Sequence, residues 1–320
     1  MRIAIVTTSY PLWDGQAAGH FVAAEARELS SRGHDVTVIA PGPTTRVEGS
    51  QPAVARIWGG GLFGPPGVLS RLKGNPARAL GGVSFVLAAR RALARRGPFD
   101  RLIGHWFIPS VWPLGIGHAP RVEGVVHGSD ARLFASLPKA VREHVAGQLL
   151  QHRVTLRCVS EHVRDTLLRA TTVALAGLVT VEPVLLDLAA AFDASRPVGH
   201  TGSSEQLVVV VARLVASKRV RVALEAVSAL PDVRITVVGG GPLLPELRRA
   251  FPSVHFTGEL SRPQTLAWIA EADVLVSASR IEGSPLVVRE ARALDTMVVA
   301  SPAGDLERWA ESDPGLWLAD

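Results

Sequence analysis

In the stretch RIEGSPLVVREA, from Arg280 to Ala291, two carboxylates, Glu282 and Glu290, stand with seven residues between them, and a Gly283-Ser284-Pro285 turn directly follows the first. A serine and a proline ahead of an apolar run read as a helix start. Ser284 can cap the helix, and Pro285 fits its first position, where the missing N–H costs nothing. The first turn then leaves backbone amides unbonded, including those of Leu286 and Val287, and such amides with the helix dipole favour an anion such as phosphate. Glu282 lies in the loop before this helix, and Glu290 lies about 7–8 Å along its axis. A carboxylate accepts two hydrogen bonds, so each can hold a vicinal diol. Two diol acceptors flanking an anion site match the layout of a sugar nucleotide, with hydroxyls at both ends and phosphates between.

An anionic ligand also needs cations. ARLVASKR, after the apolar run QLVVVV, offers Arg213 and Lys218. Arginine presents a fork to phosphate and lysine a point charge. No acidic metal cluster accompanies them, so no metal ion is expected, and the two cations are the groups to neutralise a diphosphate. VVGGGPLLPEL adds Gly239, Gly240 and Gly241, where backbone can come close to a base or phosphate. Leu244 breaks the GxGxxG pattern, so nicotinamide binding is not supported.

These loops need strands to carry them. Arg2 to Thr7 and Asp35 to Pro41 read as strands with a helix, Phe21 to Arg32, between them; Arg101 to His105 and Val122 to His127 are further strands. The rhythm resumes with the strand Gln206 to Leu214, the helix Val220 to Leu230, the strand Val233 to Gly241 and the helix Pro245 to Phe251. VHFTG, DVLVSAS and TMVVAS are later strands, and Thr265 to Glu271 is helical. Strand–helix alternation of this kind predicts parallel sheets with helices on both faces. In such sheets ligands bind at the carboxyl ends of the strands, where all the residues above fall. The Gly-, Ser- and Pro-rich segment from Asp193 to Gln206 reads as a linker. Two domains are therefore expected, residues 1–195 and 196–320.

The composition agrees. A chain of 320 residues, 47% of them hydrophobic, is long enough for two cores. A single cysteine, Cys158, excludes an intrachain disulfide and fits a reducing cytoplasm. The N-terminus has too short an apolar run for a signal peptide, and TTVALAGLVTVEPVLLDLAAAF is interrupted by Glu182, Pro183 and Asp187, so no membrane span is expected. A formal charge of +5 favours anionic partners. The segment VSFVLAARRALARR sets apolar residues against Arg90, Arg91, Arg95 and Arg96; it reads first as an ordinary solvated helix, with peripheral attachment to acidic lipid as the alternative. No His/Cys spacing suits zinc.

The second half resembles the retaining glycosyltransferases of family 4, the group 1 glycosyltransferases, in ARLVASK, GGGP, ADVLVSAS, EGSP and REA, in that order. The first half resembles the same family more loosely in RGHDVTVIAP and VVHGSD. The resemblance implies the GT-B fold, α/β with two facing Rossmann-like domains of parallel sheets. It implies that Arg213 and Lys218 hold the diphosphate, that Glu282 contacts the sugar hydroxyls and that Glu290 takes the ribose. His127 would sit near the transferred sugar, with Asp130 in the same loop. Gly15 and Gly19 match the loop that faces the acceptor in the family, whose first domain is the acceptor side and whose second is the donor side. Apart from the resemblance, His105 precedes Trp106 at a strand end, where the two either line the acceptor cleft or pack in the core. The sequence departs from the family's usual glycines at Ala212, Arg219 and Asp295. It ends at GLWLAD, where family members usually continue through further helices, so a shortened C-terminus is expected.

The activity implied is transfer of a sugar from a nucleotide-diphosphate donor to the hydroxyl of a glycan, lipid or small molecule, with retention. No cofactor and no nucleic-acid partner are expected. A hydrolase or epimerase acting on sugar nucleotides, and a non-catalytic sugar-nucleotide-binding partner, are the alternatives.

Overall fold

The computed structural model describes residues 1–43, 46–47, 52–64, 68–188 and 205–319. The chain divides into two compact units, Met1–Leu12 with Ala18–Leu185, and Trp13–Ala17 with Leu186–Asp320. The expected boundary at 195/196, and most of the expected linker, lie outside the described residues.

The strands of the first unit are β1 (Arg2–Val6), β2 (Asp35–Pro41), β3 (Arg46–Val47), β4 (Ala53–Ile57), β5 (Arg101–His105), β6 (Arg121–Val126), β7 (Thr155–Cys158) and β8 (Val179–Val181). Its helices are α1 (His20–Ser31), α2 (Val68–Gly74), α3 (Ala79–Arg96), α4 (Phe107–Ser110), α5 (Ser129–Ser136), α6 (Lys139–Gln151) and α7 (Glu161–Arg169). The sheet runs β3-β4-β2-β1-β5-β6-β7-β8, parallel except for the antiparallel edge strand β3. Ile3, Ile5, Val38, Ile39, Leu102 and Ile103 are fully buried in it, as is Phe85 of α3.

The second unit holds β9 (Gln206–Val211), β10 (Val233–Val238), β11 (His255–Gly258), β12 (Val274–Ser277), β13 (Met297–Ala300) and β14 (Leu316–Leu318), in the order β11-β10-β9-β12-β13-β14. Its helices are α8 (Val220–Val227), α9 (Leu244–Ala250), α10 (Arg262–Ala270), α11 (Leu286–Ala293) and α12 (Leu306–Ala310). The valine run of β9 shows why both faces must be covered. Leu207 and Val209 enter a core with Leu266 and Ile269 of α10 and Val288 of α11. Val208 and Val210 enter a second core with Ala223 and Leu224 of α8 and Leu247 of α9. An alternating polar strand could not satisfy two such faces, and burying each valine contributes roughly 1.5–3 kcal/mol. A charged residue at Val209 would break the strand's fit.

Each sheet reverses its order at one place, beside β1 and β5 in the first unit and beside β9 and β12 in the second. Loops leaving the carboxyl ends there diverge to opposite faces and leave room for a ligand.

Candidate functional site

In the second unit, the loop after β9 carries an exposed Arg213 and then a short turn, Ala216–Lys218. The Arg280 N–H, just past β12, donates to Ser217 O at 3.0 Å and ties the two loops together. Lys218 Nζ thereby reaches Glu282 Oε1 at 2.5 Å, with side chains only 20% and 11% exposed. The structure thus joins two of the expected site residues directly.

Helix α11 begins at Leu286, one residue later than expected. Pro285, in extended conformation, occupies the cap position, and its carbonyl accepts from the Val288 and Arg289 amides. Ser284 therefore does not cap the helix. Its buried Oγ has no hydrogen-bond partner among the described residues, and the Leu286 and Val287 amides likewise find no acceptor among them. A buried hydroxyl and two unbonded amides, with Lys218 paired to nearby Glu282, make an anion-ready helix start.

Glu290 is placed differently from expectation. It lies in the interior, 4% exposed, with Oε1 2.7 Å from Arg262 Nη1. Burial pushes its carboxyl up, and Arg262 only partly offsets this. Arg262 also donates through Nη2 to Asp187 O at 3.0 Å and through its backbone N–H to Gly15 O at 2.6 Å. Gly15 accordingly groups with the second unit and Gly19 with the first, although they are neighbours in sequence. Gly19 caps α1 at φ 75°, where a Cβ would meet Ser9 O at 2.6 Å.

The three-glycine turn has a cause within the fold. A Cβ on Gly239 would sit 2.0 Å from Ala212 O, and one on Gly241 would sit 2.5 Å from Leu214 O. The Leu214 amide donates to Gly240 O at 2.8 Å. Backbone approaches backbone here, so the turn buttresses the Arg213 loop whether or not a ligand is bound. Two departures from the family's glycines acquire a meaning too: Arg219 (φ 47°) and Asp295 (φ 62°) both adopt left-handed conformations that glycine takes without strain.

In the first unit, His105 ends β5 and His127 follows β6. His105 is fully buried rather than lining a surface, so it cannot touch an acceptor directly in this state. Asp130 is also buried, and its two oxygens accept from the Phe107 and His127 amides at 2.9 Å each. It ties the two strand ends together instead of facing an acceptor. Burial raises its pKa to about 6 against these backbone hydrogen bonds. His127 keeps some exposure; Trp106 packs on its ring with centroids 4.4 Å apart and Phe21 at 5.2 Å. Trp106 holds a left-handed φ of 59°, a strained conformation of the kind that gathers at functional sites. Burial and the neighbouring His105 hold the His127 pKa well below the usual imidazole range.

Sequence reasoning missed Glu25. It lies 3.3 Å from His105 Nε2 and 2.6 Å from Arg157, which bonds Glu123 at 2.9 Å. The signal was a carboxylate inside the buried stripe of α1, among Val22, Ala24 and Ala26. Among the described residues no cluster of three His, Cys, Asp or Glu could hold a metal ion, and no helix is long and apolar enough to cross a membrane. Burial pushes the Cys158 thiol up to about 12, which leaves it inert as a nucleophile.

Known proteins resemble both units. Residues 18–176 match the model of Glycosyltransferase Family 4, and residues 205–320 match that of Glycosyl transferases group 1. The chain belongs to the group 1, family 4 glycosyltransferases. Its architecture is that of GT-B enzymes: it superposes on an Escherichia coli trehalose-6-phosphate structure bound with UDP-2-fluoro glucose with a TM-score of 0.72 at 15% identity, covering 100% of this chain and 88% of that one. TuaC of Bacillus subtilis (strain 168), assigned by its name to teichuronic acid biosynthesis as a glycosyltransferase, is 26% identical over 95% of this chain and 82% of its own length. Sulfoquinovosyl transferase SQD2 of Arabidopsis thaliana is 35% identical over 103 residues, 31% of this chain and only 20% of that enzyme. This glycosyltransferase therefore carries the group 1 model on the unit that holds Lys218, Glu282 and Glu290.

Proposed function

We propose that the protein transfers a hexosyl group from a nucleotide-diphosphate sugar to an acceptor hydroxyl, with retention of anomeric configuration. The observation that carries this reading is the Lys218–Glu282 contact beside the unbonded amides of Leu286 and Val287. Lys218, Arg213 and the helix start act on the diphosphate, whose negative charge grows as it departs, and fixed positive groups stabilise that charge without reorganising. Glu282 takes sugar hydroxyls once Lys218 turns to phosphate, with Gly283 and Pro285 holding its loop. Glu290, already oriented by Arg262, is the ribose acceptor, and Gly240 and Gly241 flank the nucleotide. On the first unit, His127 holds the transferred sugar, and Gly19 shapes the acceptor loop. UDP-sugar binding by a structural neighbour supports a sugar nucleotide as donor. The cations supply the neutralisation that a divalent ion supplies elsewhere, so turnover is expected to survive chelator.

The acceptor side includes a membrane surface in this reading. Leu80, Val83 and Leu87 line one face of α3 and are 74%, 60% and 52% exposed, with Arg91 and Arg95 exposed farther along the helix. Apolar residues beside arginines suit the inner face of an acidic membrane, and a cytoplasmic, peripherally bound enzyme with a glycan or lipid acceptor follows.

A panel of nucleotide sugars screened by thermal shift, followed by incubation with and without acceptor, tests the reading. Transfer with unchanged anomeric configuration by proton NMR is the expected result. Free sugar or an epimer without acceptor would make it a hydrolase or epimerase, and binding with no transfer to any acceptor would make it a binding partner.

A further inference from the structure

A line of polar contacts crosses the first unit from α1 to His127. Glu25 Oε2 lies 3.3 Å from His105 Nε2, and His105 Nδ1 lies 3.1 Å from His127 Nε2. His105 is fully buried, so no water competes for either ring nitrogen. The Glu25 carboxylate is gripped by Arg157, and Arg157 and Arg101 share Glu123. These residues project from one sheet face: Arg101 and His105 alternate along β5, Glu123 lies beside them on β6, and Arg157 lies on β7.

We infer that Glu25 and His105 are positioning residues that fix the tautomer of His127, so that its Nδ1 meets the ligand as a hydrogen-bond acceptor for a sugar hydroxyl. The order of protons follows from the chemistry of each group. Glu25 is held ionised: burial alone would raise its pKa, but the Arg157 guanidinium and the N–H of His105 outweigh burial. The 3.3 Å approach is an ion-pair distance without hydrogen-bond alignment, yet a carboxylate and a bare ring nitrogen would set lone pair against lone pair, so the proton of His105 sits on Nε2. In the interior two carboxylates, Glu25 and Glu123, balance two guanidiniums, Arg101 and Arg157, while a third carboxylate, Glu182, reaches Arg157 at 3.8 Å but stays largely in solvent, which screens it. A second proton on His105 would leave an unmatched charge in the interior, which is costly. A neutral His105 then has a bare Nδ1, and His127 must donate to it from Nε2. That spends the one proton of a neutral His127, and its Nδ1 is left with a lone pair and no hydrogen bond among the described residues. A lone pair takes an O–H and rejects a phosphate or carbonyl oxygen, so this ring selects the hydroxyl end of a donor over its diphosphate. The stacking of Trp106 and Phe21 and the grip of Asp130 on the His127 amide fix the ring's place. The arrangement has the logic of a carboxylate-held imidazole, extended by one ring.

The inference rests on the reading of His127 as a sugar contact, but its test need not. The full chain, labelled with nitrogen-15 in its histidine rings, is studied by NMR at neutral pH, with His127 assigned from its loss in His127→Ala. Wild-type His127 is expected to show a protonated Nε2 and a bare Nδ1. Glu25→Leu and His105→Phe are each expected to turn this into a mixture of tautomers and to lower kcat/KM about tenfold, the scale of one neutral hydrogen bond. His105→Phe leaves the Glu25–Arg157 pair in place, so it remains informative if Glu25→Leu does not fold. A protonated Nδ1 in the wild type, or an unchanged spectrum in His105→Phe, overturns the proposal; an unchanged spectrum in folded Glu25→Leu removes Glu25 from it. Wild-type transfer by His127→Ala would instead defeat the sugar-contact reading while the spectra still decide the relay.

Discussion

Lys218 Nζ and Glu282 Oε1 stand 2.5 Å apart, bridging the loops that leave β9 and β12. In the proposed reaction each must exchange its partner for a different part of the donor, the lysine for phosphate and the glutamate for sugar hydroxyls. Lys218→Ala should weaken a nucleoside diphosphate and its sugar conjugate alike, whereas Glu282→Ala should weaken chiefly the conjugate. Each should lower kcat/KM by about 10²–10³, the usual scale for a charge-stabilising group. Calorimetric titration with both ligands, beside a transfer assay, checks this, and wild-type turnover in either variant counts against the assignment.

Backbone conformation gives a second prediction. Asp295→Gly should raise stability by up to about 1 kcal/mol, because φ 62° costs a side-chain-bearing residue about that much. Gly239→Ala should lose at least 2 kcal/mol on the order of a strained or displaced turn, since its Cβ has no room beside Ala212 O. Gly240→Ala should cost less, because its Cβ meets only the flexible Glu259 side chain. Urea unfolding followed by tryptophan fluorescence ranks the three.

Arg262→Ala leaves the Glu290 carboxylate buried without its partner, and the two side chains are only 9% and 5% exposed. A loss of about 3–5 kcal/mol is expected. Pairing Arg262→Met with Glu290→Gln should recover much of that stability but not donor affinity. Denaturant midpoints of the single and double variants measure both parts.

The depressed pKa of Glu25 predicts an acid limb of stability. Its ionised form is favoured in the folded state, so its contribution is complete above the ordinary value of 4.5 and disappears as pH falls through about 2. The span corresponds to about 3 kcal/mol. Stability measured from pH 5 down to 2 should fall less steeply in Glu25→Gln than in the wild type.

For α3, replacing Leu80, Val83 and Leu87 together by serine should abolish sedimentation with vesicles rich in anionic lipid. Donor binding should persist, because none of the three contributes to the second unit. Binding that is indifferent to these changes, or to 0.5 M salt, would exclude this surface.

Much of the fold is legible because β1, β2 and β9 are apolar runs long enough to announce strands buried on both faces. The bounds of β2 and β5 agree with the reading from sequence, residue for residue. β8 and β14 are not legible, since three residues carry no period and Trp317 of β14 is 61% exposed. In β7 the inward-facing Arg157 breaks the apolar pattern. The loop positions of Lys218 and Glu282 can be read from their motifs, but their contact depends on the Arg280–Ser217 hydrogen bond across 63 residues of chain. The burial of His105, Asp130 and Glu290 is a tertiary fact: each is polar, and only its partner from another element lets it leave water. The serine before Pro285 looks like a cap, yet the proline's own extended conformation takes that place.

The contact between the glycine turn and the Arg213 loop is made by main-chain atoms on both sides. Side chains at the tip of that loop can therefore be exchanged without disturbing what supports it. A variant of Arg213 that loses the proposed ligand therefore reports a lost contact rather than a collapsed loop, while the buttress beneath it has room for almost no added atom.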